Sequence, residues 1–533
     1  MRQNGEIMAI IVNNVTLGLG EPEENCFGQA RKRLGVSDKQ ITNQYVVKKS
    51  VDARKKQDIR FVYSVGFEIE GEENYQCGEG IKRQCVIPLE LGSAVDVGDN
   101  RPVIVGFGPA GMFCALILAR QGCRPIILER GSAMEQRAAD VETFFTHAKL
   151  NPASNIQFGE GGAGTFSDGK LTTRIGDSRC SYVLQELVKF GAPKEILQEA
   201  KPHIGTDELR RVVVNLRKEI IRLGGEVHFN VQLQKLHFTN GKVQGFEADG
   251  QYYQAEKVVL AIGHSARDTI EALWNDGIAM EVKPFSVGVR IEHLQTEVDK
   301  ALYGELAGHP QLPKGEYQLS HRDKDGRAVY TFCMCPGGYV VPSASETGGI
   351  VTNGMSYHSR DGKNANAALV VSVDSNDFGS NPMDAIRFQR KLEQDAYAVT
   401  QGYCAPIQTV GCLLNGKAGA ELKSVEPTYS IGTHGADFSK LFTPTVLARL
   451  KDGLYRFGKK QPGFDAADAV LTAPETRTSS PVRVLRGEDY HSITARGLYP
   501  CGEGGGYAGG IMSAAVDGIR VAQQILSEIN SKN

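Results

Sequence analysis

The sequence predicts an α/β fold with a parallel sheet, a β-rich insertion and a small α+β domain in front of it. Three observations support this prediction. Residues 101–130 contain an apolar strand, a glycine turn, an apolar helix and a second apolar strand. Another apolar strand is expected at 257–262, and a strand followed by a helix at 496–529. Between these segments, residues 275–425 are rich in strand-forming stretches separated by Gly, Pro and Asn.

Length and composition limit the class of protein. A chain of 533 residues has room for about two to four domains. The net charge of −2 creates no overall field toward nucleic acid or membranes. Eleven cysteines without a repeated spacing indicate free thiols in a reducing compartment. The apolar run at 7–12 is too short for a signal peptide, and Val103–Ala119 is too short and too interrupted to cross a bilayer, so a cytoplasmic location without membrane insertion is expected.

Residues 1–98 are predicted to form a small α+β (ferredoxin-like) domain. Strands are expected at 7–12, 45–50 and 59–67, and a helix at 25–34. The polar segment that follows, residues 96–100, is expected to be a linker.

The beginning of the chain is basic. Residues 1–60 contain 11 Lys and Arg against 7 Asp and Glu, a net charge of +4. A nucleic-acid surface is one interpretation of this charge, and a solvated face on a small domain is the other. The segment lacks the aromatic-rich strand of a common RNA-binding module, which favours the solvated face, and a nucleic-acid partner stays open as the alternative.

The glycine turn in the first strand–helix unit carries a ligand-binding pattern. Gly106, Gly108 and Gly111 fit G-x-G-x-x-G, and Glu129 follows at the end of the next strand. In this pattern the glycines allow a tight turn, close approach of a pyrophosphate and close helix packing, and the helix start offers free N–H groups. Glu129 is expected to accept hydrogen bonds from both ribose hydroxyls of an adenine dinucleotide. The predicted contacts here are Gly106, Gly108, Pro109, Ala110, Gly111, Glu129, Arg130 and Gly131.

A second glycine-rich loop follows at 158–171, FGEGGAGTFSDGKL. Ordering so many glycines costs chain entropy, which is tolerable where backbone must lie against a flat or anionic ligand. A flexible surface loop is the alternative. The predicted cofactor contacts in this loop are Gly161, Gly162, Gly164, Thr165, Ser167 and Asp168.

The segment between 206 and 263 explains which kind of dinucleotide fold is expected. A helix at 206–223 precedes four short strands between 226 and 254, with hairpin signals at Asn240-Gly241 and Asp249-Gly250. The return strand then ends near Gly263. This order of β-α-β, crossover, β-meander and return strand is that of FAD-binding flavoproteins. It predicts a Rossmann-like FAD-binding domain in two parts, 99–274 and 426–533, with further contacts from Val231, Ala261 and Gly263.

The insertion and the C-terminal segment complete the prediction. Residues 275–425 are expected to form a β-rich substrate or cap domain with one helix at 383–401. In the C-terminal part, the carboxylate of Glu503 is placed where it can bind a ribityl hydroxyl. The start of the last helix is expected to direct N–H groups at the flavin O2 edge. The predicted contacts here are Gly502, Glu503, Gly510, Ile511 and Met512.

Three residues are candidates for catalysis. His264 follows the return strand and is a candidate for proton transfer. Arg477 is a candidate for a positive charge near the flavin or for a carboxylate clamp, and Lys170 is a similar candidate. Each has a purely structural alternative. Cys333 and Cys335 form a C-x-C pair, for which buried strand cysteines are the preferred interpretation, and without a C-x-x-C pattern no metal site is expected.

Several stretches together resemble the bacterial FAD-dependent oxidoreductases known as NAD(FAD)-utilising dehydrogenases. The stretches are residues 106–119, 159–171, 332–341, 475–483 and 497–518, and the resemblance extends over the whole chain. It implies a fold like those of glutathione reductase and fumarate reductase and non-covalently bound FAD. The family name also implies NAD(P)H as a transient reductant, although the sequence has no second G-x-G-x-x-G domain to hold it.

The first interpretation of function is therefore an FAD-dependent oxidoreductase, a flavoprotein dehydrogenase that transfers hydride to or from an unknown small-molecule substrate. A flavoprotein that acts on RNA through its basic N-terminal domain is a second interpretation. A non-enzymatic FAD-binding or redox-sensing protein is a third, and an aromatic hydroxylase is also conceivable. The sequence does not distinguish their substrates.

Overall fold

The computed structural model describes residues 7–72, 75–86, 89, 94–95 and 97–531. The predicted linker at 96–100 lies partly outside the described residues. The strands are β1 (Ile7–Gly18), β2 (Ile41–Asp52), β3 (Arg60–Ile69), β4 (Ile81–Val86), β5 (Val103–Val105), β6 (Ile126–Glu129), β7 (Glu226–Phe229), β8 (Leu233–Thr239), β9 (Lys242–Ala248), β10 (Gln251–Gln254), β11 (Val258–Leu260), β12 (Met280–Val282), β13 (Phe285–Leu294), β14 (Ser320–Arg322), β15 (Ala328–Cys335), β16 (Tyr339–Pro342), β17 (Thr352–Met355), β18 (Asn364–Val373), β19 (Ala405–Thr409), β20 (Thr433–Gly435), β21 (Val470–Glu475), β22 (Val482–Val484) and β23 (Leu498–Pro500). The α-helices are α1 (Asn25–Leu34), α2 (Pro109–Arg120), α3 (Met134–His147), α4 (Arg179–Lys189), α5 (Thr206–Arg222), α6 (Arg267–Asn275), α7 (Gln295–Tyr303), α8 (Ser375–Phe378), α9 (Pro382–Thr400), α10 (Val410–Leu414), α11 (Pro444–Lys460) and α12 (Ile511–Asn530).

The N-terminal segment forms a four-stranded antiparallel sheet in the order β2-β3-β1-β4, packed against α1. Helix α1 has the bounds expected from the sequence and ends at Gly35, whose left-handed backbone (φ +73°) is a common helix stop. Strand β4 was not expected. Between β3 and β4 the described residues contain no α-helix, so the second helix of a ferredoxin-like arrangement is not seen there.

A five-stranded parallel sheet, ordered β23-β11-β5-β6-β7, forms the centre of the predicted α/β part. Helices α2, α5 and α12 cover one face, and strands β8 and β9 with helix α6 cover the other. Burial on both faces explains why β5 and β11 are continuous apolar runs. Helix α12 packs tightly on α2, because Gly518 brings its backbone so near that an added Cβ would lie 2.1 Å from the Ala110 carbonyl oxygen. The parallel α/β fold class predicted from the sequence is confirmed.

The β-meander predicted after α5 consists of β8, β9 and β10 in an antiparallel sheet. Both of its turns have positive φ at two successive residues, Asn240-Gly241 and Asp249-Gly250. Two positive φ values in a row are the signature of the type I′ turn that these dipeptides favour.

A seven-stranded sheet in the order β14-β15-β18-β13-β21-β19-β20 forms the second large layer, with α9 and α11 packed against it. Within the strand-rich stretch expected at 275–425, residues 328–342 form two strands, β15 and β16, separated at Pro336-Gly337. The sheet also continues past residue 425, since β20 and β21 belong to it and α11 covers it. The sequence analysis placed the return to the cofactor fold at residue 426. Strand β21 comes later in the chain and still belongs to this sheet, where it pairs between β13 and β19.

No helix in the described ranges is both long enough and apolar enough to cross a bilayer.

Candidate functional site

A cavity lies at the carboxyl ends of β5, β6 and β11, where open α/β sheets commonly bind ligands. Its opposite wall comes from β15, β17 and β21 of the seven-stranded sheet. The empty space between these walls, including the part open to solvent, is about 1540 Å³. The cavity therefore joins the two layers of the fold.

Most residues predicted to bind a cofactor line this cavity. The lining ones are Gly106, Gly108, Pro109, Ala110, Glu129, Arg130, Gly162, Gly164, Ser167, Asp168, Val231, Ala261, Gly263, Glu503, Gly510 and Ile511. The predicted residues behind the lining are Gly111, Gly131, Gly161, Thr165, Gly502 and Met512. The catalytic candidates Lys170, His264 and Arg477 also line the cavity. The structure thus brings these residues together, and the role of each stays a prediction.

The three glycines of the turn after β5 have different surroundings. A Cβ on Gly106, whose φ is +100°, would lie 2.3 Å from the Ala261 carbonyl oxygen. A Cβ on Gly111 would lie 2.0 Å from the Gly106 carbonyl oxygen. A Cβ on Gly108 would meet only the Gly162 Cα, at 3.7 Å. Gly106 and Gly111 are therefore required by the fold, whereas Gly108 keeps a path open for a ligand.

Glu129 is buried at the cavity wall, and its carboxylate is already partly used. Its two oxygens accept hydrogen bonds from the backbone N–H groups of Phe107 (2.8 Å), Gly131 (2.9 Å) and Gly159 (2.9 Å). A carboxylate has about four acceptor positions, so about one remains. Glu129 can accept one ribose hydroxyl rather than the two expected from the sequence.

Arg137 of α3 organises the glycine-rich loop and was not identified from the sequence. Its guanidinium is fully buried and donates to the carbonyl oxygens of five residues in the loop and just before it. The acceptors are Asn155, Ile156, Gly159, Glu160 and Gly162. The sequence signal was weak, because an arginine on a polar helix is normally solvated.

Asp168 ties the glycine-rich loop to the second layer. Its carboxylate accepts from Arg360 at 3.1 Å (Nε) and 2.6 Å (Nη2), and from the Ser356 hydroxyl. Burial opposes ionisation, but the positive charges of Lys170 and Arg360 lower the pKa of Asp168 to about 2. Asp168 lines the cavity, yet the hydrogen bonds of its side chain are to the opposite layer. The loop is thus fixed in place, contrary to the flexible alternative.

Lys170 lies between two carboxylates. Its Nζ is 2.9 Å from Glu316 Oε2 and 3.4 Å from Asp168 Oδ2. Burial disfavours the ammonium, but these carboxylates outweigh it and raise the pKa of Lys170. Lys170 is therefore a permanent cation at neutral pH and not a general base.

His264 and Glu503 form a pair of titratable groups at the cavity. His264 Nδ1 lies 3.5 Å from Glu503 Oε1, and His264 Nε2 is buried without a hydrogen-bond partner among the described residues. Burial, with the nearby charges of Arg477 and Arg267, lowers the pKa of His264 to about 3. Burial raises the pKa of Glu503 to about 7. The imidazole is therefore neutral at physiological pH, and Glu503 is the group that exchanges a proton there.

Arg477 touches the cavity while its guanidinium is held from behind. Nε and Nη2 donate to Glu393 at 3.2 Å and 3.0 Å, and Nη1 donates to Ser345 Oγ at 2.5 Å. Arg477 thus forms a buried salt bridge, in line with the structural alternative for this residue, and three of its five N–H groups are used.

The start of α12 and the loop before it meet the cavity through Gly510 and Ile511. Gly502, just behind, donates its N–H to Asp517 Oδ2 at 2.8 Å, and Asp517 pairs with Arg486 at 2.7 Å. This buried pair fixes the turn that carries Glu503.

The seven-stranded sheet contributes residues that no sequence motif marked. Phe332, Cys333 and Cys335 of β15 line the cavity with Asn353 of β17 and Glu475 of β21. Both cysteines are free thiols. Cys335 is buried, and burial raises the pKa of its thiol to about 11, so it is not a thiolate at neutral pH. Cys333 is exposed, contrary to the buried strand cysteine expected from the sequence. These residues are far apart in sequence, and only the sheet pairing brings them together.

Comparison with known proteins gives the family. An uncharacterized protein of Clostridium beijerinckii is 46% identical over 530 residues, covering 98% of this chain and 99% of that protein. The chain belongs to the family of that clostridial protein. Residues 284–478 match the family described as FAD-dependent protein, C-terminal domain-like, and residues 9–68 match a domain of unknown function.

More distant similarities cover parts of the chain or have low scores. Protein FixC of Escherichia coli is 26% identical over 201 residues, 36% of this chain and 42% of FixC. A geranylgeranyl bacteriochlorophyll reductase-like protein from Thermoplasma acidophilum is 12% identical, with 81% of this chain and 79% of that one covered at a TM-score of 0.34. Glycine oxidase from Bacillus cereus is 10% identical, with 82% and 96% covered at a TM-score of 0.31. Scores this low carry no information about the reaction.

The match at 284–478 corresponds to the second layer of this family member. It begins at the residue before β13 and ends at Thr478, so it includes β21 and the cavity residues Glu475 and Arg477. The segment described by an FAD-dependent family thus supplies the wall opposite the glycine turn.

Proposed function

We propose that the chain is an FAD-dependent oxidoreductase that binds FAD non-covalently and a small-molecule substrate between the parallel sheet and the seven-stranded sheet. One observation carries the proposal: a single cavity is lined both by the dinucleotide turn Gly106–Ala110 and by the segment that matches an FAD-dependent family. Neither wall alone would distinguish a flavoprotein from other dinucleotide-binding proteins.

The residues present fit FAD. The open side of Gly108 admits a pyrophosphate, and the N–H groups at the start of α2 favour its negative charge. Glu129 retains one acceptor position for a ribose hydroxyl. Arg130, held over the Phe158 ring at 4.0 Å and paired with Asp268 at 2.8 Å, would cover the nucleoside end. The start of α12 would meet the pyrimidine side of the flavin.

Bound FAD would supply the hydride chemistry, and the protein would supply orientation and electrostatics. The neutral His264 has an unpaired Nε2 that can bind a polar ligand atom, while Glu503 can hold or release one proton near neutral pH. Lys170 and Arg477 contribute fixed positive charge that carboxylates behind them largely balance. The buried thiol of Cys335 contributes surface to the cavity wall.

The reductant and the location of the protein stay proposals. NADH or NADPH would have to reach the flavin transiently from the side of the seven-stranded sheet, because the sequence predicts no second dinucleotide-binding domain to hold it. A cytoplasmic location is likewise proposed from cysteine usage alone.

Anaerobic stopped-flow reduction of the purified holoprotein by NADH and NADPH tests the proposal. Rapid bleaching of the visible flavin band by one nucleotide supports a dehydrogenase half-reaction. Bleaching by neither, with chemical reduction by dithionite still possible, assigns the electrons to the substrate or a partner protein. A protein that binds FAD but resists every reductant supports the non-enzymatic alternative, and one that binds no FAD refutes the proposal.

A further inference from the structure

A buried chain of alternating charges lies behind the cavity and joins the two layers. Its centre is Glu393 of α9, which lies between Arg267 of α6 and Arg477 beyond the end of β21. The side chains of all three are at most 3% exposed. Toward the surface the chain continues through Glu346, Arg390 and Glu271.

The carboxylate of Glu393 is saturated with donors. It accepts from Arg267 Nη2 at 2.7 Å and Nη1 at 2.9 Å, and from Arg477 Nη2 at 3.0 Å and Nε at 3.2 Å. The hydroxyl of Thr476 adds a fifth contact at 2.7 Å. Since a carboxylate offers about four acceptor positions, Glu393 has no freedom to turn, and it holds both guanidinium groups in fixed orientations.

Such a cluster is not explained by stability alone. Removing charges from water costs several kcal/mol per ion, and apolar residues of similar volume often serve the fold as well. Burial lowers the pKa of Arg477, and the negative charge of Glu393 opposes this effect and favours the charged guanidinium. Of this central triad, Arg477 is the member that lines the cavity. The position and net charge of the cluster therefore act on whatever the cavity binds.

We propose that Glu393 is a positioning residue that holds the Arg477 guanidinium against the cavity and thereby sets the reduction potential of the bound flavin. The inference rests on the proposed function. The negative charge of Glu393 offsets one of the two positive charges of Arg477 and Arg267 and thereby reduces their field at the cavity. Reduced flavin carries a negative charge at neutral pH, so a larger positive field at the cavity wall would favour the reduced form.

The test is the midpoint potential of FAD bound to the full-length protein, measured by spectroelectrochemistry. Glu393→Gln leaves two arginines with one fewer negative charge, and we expect at least tenfold more reduced flavin at the wild-type midpoint, which is about 30 mV for a two-electron couple. Arg477→Gln removes the cavity-facing cation while Glu393 keeps both bonds to Arg267, and we expect a shift in the opposite direction.

Glu271→Gln is the matched control. It removes the same charge from the surface end of the same chain, where the Glu271 side chain is 39% exposed and screened by water. We expect its reduced-to-oxidised ratio to stay within threefold of wild type. Glu393→Asp keeps the negative charge on a shorter side chain, so it holds the Arg477 guanidinium less firmly. We expect its reduced-to-oxidised ratio to lie between those of wild type and Glu393→Gln.

The outcomes separate the inference from the proposed function. Unchanged ratios in folded, FAD-bound Glu393→Gln and Arg477→Gln proteins overturn the inference and leave the oxidoreductase proposal standing. If Glu393→Gln does not fold, Arg477→Gln decides, because it retains the buried Arg267–Glu393 pair: a ratio equal to wild type overturns the inference. A wild-type protein that takes up no FAD overturns both.

Discussion

The turn after β5 permits a substitution that separates ligand binding from folding. Gly108 has an extended backbone (φ −83°, ψ −173°) that alanine adopts without strain, and its new Cβ would meet only Gly162 Cα at 3.7 Å. In Gly108→Ala the loss of unfolded-state freedom should stabilise the apoprotein by about 0.4–1 kcal/mol. The same methyl group would occupy the path of the pyrophosphate. If overpacking there costs about 1–3 kcal/mol, FAD binds roughly 5- to 150-fold more weakly.

Gly111→Ala is the contrasting change three residues away. Its Cβ would be forced to 2.0 Å from the Gly106 carbonyl oxygen, which is backbone and cannot move aside. We expect a clear loss of thermal stability even without FAD. Gly28→Ala, in α1 with nothing within 4 Å of the new Cβ, is the control for both.

Thermal unfolding of the apoproteins and fluorescence titration with FAD measure the two effects. The reasoning is refuted if Gly108→Ala binds FAD as tightly as wild type, or if its apoprotein melts as early as Gly111→Ala.

Three further changes test other parts of the site. Arg137→Met leaves five backbone carbonyls without their donor. We expect the free energy of unfolding to fall by about 3–5 kcal/mol, with a lower melting temperature and weaker FAD binding in a titration. FAD affinity equal to wild type would contradict this. Because the pKa of Glu503 is raised from 4.5 to about 7, the folded protein keeps a proton that the unfolded chain has released. The stability of wild type relative to Glu503→Gln should therefore fall as pH rises from 4.5 to 7 and stay constant above pH 7. If the difference between their denaturant midpoints does not change over this range, the raised pKa of Glu503 is refuted. The pKa of His264 is lowered from 6.5 to about 3. As pH falls from 6.5 to 3, wild type should therefore lose stability relative to His264→Gln. A gain of stability over this range would indicate a charged imidazole in the folded protein.

The local patterns predicted the parallel layer well, because its signals are short in range. The glycine turn, helix α2 and the type I′ hairpins each depend on residues within one or two turns of chain. The second layer was less predictable. Strand β21 pairs with β13 across more than 170 residues, and no pattern in either segment specifies that partner. The predicted return at residue 426 therefore came before the end of the sheet.

The same distinction explains which site residues were found. Gly106, Gly108 and Glu129 belong to a motif that a local backbone conformation requires. Cys333 and Glu475 reach the cavity only through sheet pairing and have no motif of their own. Arg137 is a third case. Its acceptors are backbone carbonyl oxygens, which every residue provides, so no residue type at a fixed distance along the chain marks the contact.

The contacts between the two layers indicate that the cavity is assembled rather than carried by either one. Asp168, in the loop next to the glycine turn, is bonded to Arg360 and Ser356, and Arg267 at the start of α6 is bonded to Glu393 of α9. Both contacts are buried ion pairs or charged hydrogen bonds, which need accurate geometry to offset desolvation. A shift of the seven-stranded sheet would break both at once. The position of the seven-stranded sheet relative to the glycine turn is thus fixed by charged groups at two points, and substitutions at either point should alter the cavity as a whole.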